Sequence, residues 1–147
     1  MNQIQLYTIG FTKKTAKTFF NLLQTVKIER IIDIRLNNNS QLAGFAKKND
    51  LTYFLQVIGH IDYLHIPELA PTKIILDGYQ KKKDTWTIYE QQFIALMQQR
   101  QMDKKLSPKL FHQGCLLCSE DIPTYCHRRL VAEYLQEKWG NMEIKHL

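Results

Sequence analysis

Apolar side chains along this chain switch repeatedly between a spacing of about two residues and one of about 3.6, the periods of strand and helix. Ile4 to Ile9 is a short β-rich run that stops at Gly10. Ala16, Phe19, Phe20, Leu23 and Val26 then recur at helical spacing behind Thr15, which is suited to capping a helix. Arg30-Ile31-Ile32-Asp33-Ile34 reads as a second, largely buried strand, followed by the loop Asn37-Asn38-Asn39-Ser40. Lys48 to Ile58 fits a helix closed by Gly59, and Ile61 to Ile66 fits a third strand halted by Pro67. Residues 67–84, carrying Pro71, Gly78 and Lys81-Lys82-Lys83, are expected to form a long irregular loop. Helix resumes from Thr87 to Met102 with the stripe Tyr89, Phe93, Leu96 and Met97, and breaks at Ser107-Pro108. Gly114 to Cys118 is a fourth strand, and Pro123 is placed to open a last helix. That helix buries Leu130, Val131, Tyr134 and Leu135, and Met142 to Leu147 supplies a fifth strand.

With no repeat and no composition break, residues 1–147 read as one domain. The alternation predicts an α/β fold: a mostly parallel, Rossmann-like three-layer sandwich of about five strands with helices on both faces. Right-handed crossovers put every strand's carboxyl end on one edge, where such sheets bind ligands. Gly10, Thr12, Asp33, Arg35, His65, Glu68, Cys118 and Glu120 all fall at or just after strand ends, with Cys126, His127 and Arg128 beside the start of the last helix.

Composition changes this picture little. The chain has 147 residues, 44% hydrophobic and 23% charged, which argues against disorder and fibrous repeats. Such a chain buries about 68–70% of its unfolded surface, enough for a core without disulfide or metal. No apolar run approaches the ~20 residues of a bilayer span, and MNQIQLYTIG does not read as a signal peptide, so a cytoplasmic protein without membrane association is expected. Three cysteines, an odd number, fit reduced thiols better than a secreted disulfide framework. The net charge of +6 favours phosphate-bearing or nucleic-acid partners, although dispersed lysines serve solubility equally well.

The densest chemistry runs from Leu116 to Arg128. A thiol near a helix start feels the positive end of the dipole and favours thiolate, while backbone N–H groups there hold anions. Cys126 and Cys118 are therefore candidate nucleophiles, with His127 to move protons and Glu120 and Arg128 beside the anion. The plainer alternative buries Cys126 and pairs Arg128 with Glu120 or Asp33. Cys115, Cys118, Cys126 and His127 also invite a zinc reading. Cys115-Leu116-Leu117-Cys118 reads as strand, however, where residues three apart point to opposite faces, so no metal or other cofactor is expected. A Cys118–Cys126 pair, closed by the loop between them, is sterically more plausible.

Asp33 and Arg35 share one face of the second strand, as an anion-binding pair or as a structural ion pair. His65 and Glu68 flank Pro67, the arrangement of a general base with an orienting carboxylate or of a hydrogen-bonded loop. His60, His112 and His146 occupy surface or strand-end positions. Tyr63, Tyr79, Trp86 and Tyr89 near the lysine triplet suggest base stacking with phosphate contacts, without a recognised nucleic-acid signature. Glycine-rich phosphate loops, G-x-S-x-G and H-E-x-x-H are absent, which leaves common nucleotide hydrolases, Rossmann dehydrogenases and zinc proteases without support.

Several segments resemble landmarks of the family called domain of unknown function 488 (DUF488). Thr8-Ile9-Gly10 is similar to its T-I-G-H-S opening, and Asp33-Ile34-Arg35 to its D-V-R. Tyr63 to Leu69 is similar to its Y-x-H-x-P-E-L. Leu116-Leu117-Cys118-Ser119-Glu120 with Cys126-His127-Arg128 is similar to its L-L-C-x-E…C-H-R, the most specific of the set. The resemblance spans nearly the whole chain and implies an α/β domain of bacterial and archaeal type without an established activity. Phe11-Thr12 replaces the family's H-S, and Leu36-Asn37-Asn38-Asn39-Ser40 replaces a stretch that is often basic or carries proline. A looser, fold-level likeness joins the chain to rhodanese and cysteine-phosphatase domains, although their Cys-to-Arg spacing is not kept.

Three functions follow as expectations. The first is a thiol-dependent enzyme acting on a phosphate-bearing or nucleotide-like substrate, with Cys126 or Cys118 as nucleophile. His65 or His127 would move protons, and Gly10, Thr12, Asp33, Arg35, Glu68, Glu120 and Arg128 would form the anion pocket. The second is a nucleotide- or nucleic-acid-binding module without turnover. The third is an interaction protein with buried cysteines. Oligomeric state is not legible.

Overall fold

Strand composition sets the layering. The computed structural model describes residues 3–38, 44–81 and 84–147. The strands are β1 (Ile4–Gly10), β2 (Arg30–Asp33), β3 (Asp62–His65), β4 (Gly114–Cys118) and β5 (Met142–His146). They form one all-parallel sheet in the order β3-β2-β4-β1-β5. Central β4 is buried at all five positions, as a strand with neighbours on both edges and helices on both faces must be. Edge strands β3 and β5 carry the exposed residues.

The helices are α1 (Ala16–Thr25), α2 (Lys48–Gly59), α3 (Lys73–Gln80), α4 (Trp86–Arg100), α5 (Met102–Lys105), α6 (Pro108–Phe111) and α7 (His127–Trp139). Successive strand residues point to opposite faces, and the core divides accordingly. Ile9, Ile31, Cys115 and Leu117 pack with Phe19, Phe20 and Leu23 of α1 and Leu51 and Leu55 of α2. Leu6, Ile32, Leu116 and Cys118 pack with Phe93 and Met97 of α4 and Leu130, Val131 and Leu135 of α7. Thr15 caps α1 as expected, its hydroxyl accepting from Thr18 N–H at 3.1 Å. Gly10 pairs with Cys118, and Asp33 lies between His65 and Leu117, so the carboxyl ends of β1, β2 and β4 stand side by side.

The expected irregular loop over residues 67–84 is largely helical instead. Pro67–Leu69 forms one 3-10 turn, and α3 follows, with the Thr72 hydroxyl accepting from Ile75 N–H at 3.2 Å. Pro71 precedes the cap and so breaks nothing. Helix α4 stops at Arg100 because Gln101 adopts a left-handed conformation, φ 52°, that starts α5. The last helix begins at His127 rather than at Pro123, whose carbonyl closes a turn by accepting from Cys126 N–H at 3.1 Å. Asn39, Ser40, Lys82 and Lys83 lie outside the described residues. Among those described, no helix is long and apolar enough to cross a membrane.

Candidate functional site

A cavity of about 380 Å³ opens over the ends of β2 and β4. Cys118, Ser119, Glu120, Cys126 and His127 line one side and Arg35, Leu36 and Asn37 another, while α3 and α4 contribute Tyr79, Trp86 and Tyr89. Trp86 stacks on Tyr89 at 4.9 Å and meets Tyr79 and Tyr125 edge-on at 5.6 and 5.5 Å, a continuous aromatic wall.

Cys118 ends β4 and Cys126 caps α7, and their sulfurs are joined across the loop between them. Beneath them lies Arg128, fully buried. Its Nε donates to Thr8 Oγ1 at 3.1 Å, Nη1 to Cys118 Sγ at 3.7 Å and to the Glu120 carbonyl, and Nη2 to the Asp121 carbonyl at 3.1 Å. Arg128 therefore fastens residues 118–121 to the end of β1 through backbone carbonyls, not through the carboxylates of Glu120 or Asp33. The loop also bonds to Thr12, whose N–H donates to the Ser119 carbonyl at 3.0 Å.

Asp33 holds Arg35 bidentately, with Arg35 Nε 2.9 Å from Oδ1 and Nη2 2.8 Å from Oδ2. The Arg35 backbone N–H adds a bond to Oδ1 at 3.1 Å, and the Tyr63 hydroxyl donates to Oδ2 at 2.5 Å. Desolvation by burial, with the Asp33 acceptor adding to it, pushes the Tyr63 phenol well above its ordinary range. The Phe11 ring supports the guanidinium from 5.4 Å. Arg35 is 3% exposed, and its Nη1 is the one buried side-chain nitrogen or oxygen without a hydrogen-bond partner among the described residues. The buried charges of this region are the Arg35 and Arg128 guanidiniums and the carboxylate of Asp33, and the exposed Glu120 also lines the cavity.

The histidines divide. His127 Nε2–H donates to the Ile34 carbonyl at 2.7 Å, and desolvation pushes its pKa down to about 4, so the ring is neutral near pH 7 and keeps a lone pair on Nδ1. His65 stays outside the cavity lining. Its Nε2 bonds the Arg35 carbonyl at 3.0 Å and its Nδ1 the Asn38 amide at 3.3 Å, so Asn38 rather than Glu68 orients it. Glu68 is exposed, and its backbone carbonyl accepts from Arg100 at 2.6 Å.

The family model described as domain of unknown function DUF488 matches residues 15–135 of the 147. The chain belongs to the DUF488 family. No curated protein and no solved structure matches it.

In this DUF488 chain the structure gathers Arg35, Glu120, Cys118, Cys126 and His127 around one cavity. It sets Gly10, Asp33 and Arg128 in the layer that positions them, and leaves His65, Thr12 and Glu68 outside the lining. Sequence reasoning missed Tyr125, Asn38 and Thr8; the contacts that give them a role bridge distant segments or a turn with no periodicity. Cys115 packs on the opposite face of β4, among α1 and α2 residues, and burial pushes its thiol well above the usual range. Iodoacetamide at about pH 8 should therefore label Cys118 and Cys126 in the reduced, folded DUF488 protein and spare Cys115 until unfolding. Peptide mass spectrometry reads this directly, and labelling of Cys115 at the same rate contradicts the placement.

Proposed function

We propose that this DUF488 protein is a thiol-dependent enzyme acting on a phosphate-bearing, nucleotide-like substrate held in the cavity over β2 and β4. One observation carries the reading: the buried Arg35, whose Nη1 has no hydrogen-bond partner among the described residues, sits in the cavity wall. A buried donor left unsatisfied costs about 1–3 kcal/mol or more when charged, and a phosphate oxygen removes that cost. The aromatic wall of Tyr79, Trp86, Tyr89 and Tyr125 suits a flat base, since stacking is worth about 1–3 kcal/mol per base.

Once reduced, Cys118 or Cys126 supplies the nucleophile. Arg128 favours thiolate at Cys118, and the start of α7 favours it at Cys126. His127, neutral and lining the cavity, accepts the proton at Nδ1. The joined sulfurs favour a second reading, a nucleotide-binding module without turnover, because that form presents no thiolate.

Calorimetric titration of the reduced chain with nucleoside mono- and diphosphates and pyrophosphate tests both. Saturable binding that weakens about tenfold in Trp86→Ala is expected, with products that vanish in Cys118→Ser or Cys126→Ser. Binding without product in the reduced chain selects the module. Failure of every phosphate compound to bind overturns both.

A further inference from the structure

The zinc reading of the sequence fails at Cys115 alone, which β4 sends to the opposite face. Its other three members meet. Cys118 Sγ, Cys126 Sγ and a ring nitrogen of His127 lie within 4.8 Å of one another, and all three residues line the cavity. We propose that, in the reduced protein, Cys118, Cys126 and His127 form a three-ligand site for a zinc-class divalent ion whose fourth position opens into the cavity.

Four features of the site argue for this. First, the Ile34 carbonyl can only accept, so His127 Nε2 carries the ring proton and Nδ1 carries the lone pair. A metal-binding histidine typically donates its other N–H to a carbonyl or carboxylate in this way, which fixes the tautomer and the ring orientation. Second, two sulfurs and one imidazole nitrogen form a soft set that selects zinc over magnesium or calcium. Two thiolates also balance a 2+ charge, and Cys2His with one open position is a known catalytic zinc arrangement.

Third, Arg128 Nη1, 3.7 Å from Cys118 Sγ, gives one thiolate a cationic hydrogen-bond donor. Fourth, the Cα atoms of Cys118 and Cys126 stand 7.7 Å apart. That is wider than the roughly 4.4–6.8 Å usual for a disulfide. It suits sulfurs held apart by an ion: with tetrahedral Zn–S bonds of about 2.3 Å they sit about 3.8 Å from each other.

The chemistry balances with a dithiol reductant. The dithiol delivers two electrons and two protons to the Cys118–Cys126 bond and is itself oxidised to a disulfide. The incoming ion then displaces the two thiol protons to solvent. The inference goes beyond the proposed function, because it holds whether or not a nucleotide occupies the cavity. It also gives the thiols a second state, since an ion on both sulfurs withdraws them from nucleophilic chemistry.

The test uses the full chain, reduced with a phosphine, stripped with a chelator, and titrated with Zn²⁺ against a chromophoric competitor and with Co²⁺ by absorption. Expected are one ion per chain, submicromolar zinc affinity, and thiolate-to-cobalt charge-transfer bands with the visible intensity of a four-coordinate site. Affinity should fall about 100-fold or more in Cys118→Ser and in Cys126→Ser, and about 10–100-fold in His127→Gln. Cys115→Ser should bind as the parent does. Circular dichroism of each variant separates ligand loss from unfolding. Should the folded parent bind no zinc tighter than micromolar, or the folded Cys118→Ser and Cys126→Ser variants bind like the parent, the proposal is overturned. Nucleotide titration of the metal-free chain is read separately, so failure of the zinc site leaves the nucleotide reading standing, and the reverse.

Discussion

Replacing Gly10 with alanine is expected to remove about 4 kcal/mol or more of stability, a large share of the roughly 5–15 kcal/mol that holds a domain together. Gly10 is the last residue of β1 and pairs with Cys118 at the end of β4. A Cβ built there would collide with the backbone carbonyl of Glu120 and stand 2.5 Å from Arg128 Nη1. Neither neighbour can give way cheaply. The carbonyl is backbone, and it is itself the acceptor for Arg128 Nη1.

Overpacking alone costs about 1–3 kcal/mol. Here the added methyl also forces Arg128, a fully buried cation, away from its acceptors, and uncovering a buried charge costs about 3–5 kcal/mol. The two costs overlap, because one displacement of the loop relieves part of each. Gly44→Ala is the matched control, since a Cβ at that position meets nothing within 4 Å among the described residues. Urea denaturation of both variants reads the difference. A Gly10→Ala protein with the midpoint of the parent would mean that the loop after β4 does not lie against β1 as described.

The same contact shows what the sequence could and could not disclose. Strand and helix alternation, the opposite faces of Cys115 and Cys118, the Thr15 cap and the Asp33–Arg35 pair were legible, because each depends on neighbours within a few residues. The close approach of Glu120 to Gly10 was not, since the two lie 110 residues apart and nothing local marks them. Helix α3 was hidden for a different reason. It has eight residues, sits between Pro71 and the lysine run, and contains Gly78, so the punctuation outweighed the short periodic signal. Tyr79, Trp86 and Tyr89 were singled out for base stacking, but their meeting in one wall was not legible without α3, which brings Tyr79 against the other two, and Tyr63 turns to Asp33 instead. The two arginines expected to hold an anion part company: Arg35 lines the cavity, whereas Arg128 spends its hydrogen bonds on Thr8, Cys118 and the carbonyls of Glu120 and Asp121.

Asp33 and Arg35 should respond unequally to removal. Asp33→Ala is expected to cost about 3–5 kcal/mol, the range for leaving one buried charge behind. Without Asp33, the Arg35 Nε and Nη2 groups lose their acceptors, and among the described residues Nη1 has none to begin with and the guanidinium keeps the Phe11 ring beneath it. Arg35→Leu should cost about 2 kcal/mol less. The carboxylate of Asp33 then retains the Tyr63 hydroxyl at 2.5 Å and the backbone N–H of residue 35 at 3.1 Å, two donors that share its charge. The double variant, which removes both charges, should fall below the sum of the single losses.

This asymmetry also probes the cavity from the stability side. A phosphate that reaches Arg35 supplies the acceptor that Asp33→Ala took away, so inorganic phosphate should restore part of the loss in Asp33→Ala and nothing in the double variant. Urea midpoints measured with and without phosphate give all of these values. Equal costs for the two single variants would show that Tyr63 does not share the carboxylate's charge. A phosphate effect of the same size in the double variant would show that the anion binds elsewhere than at Arg35.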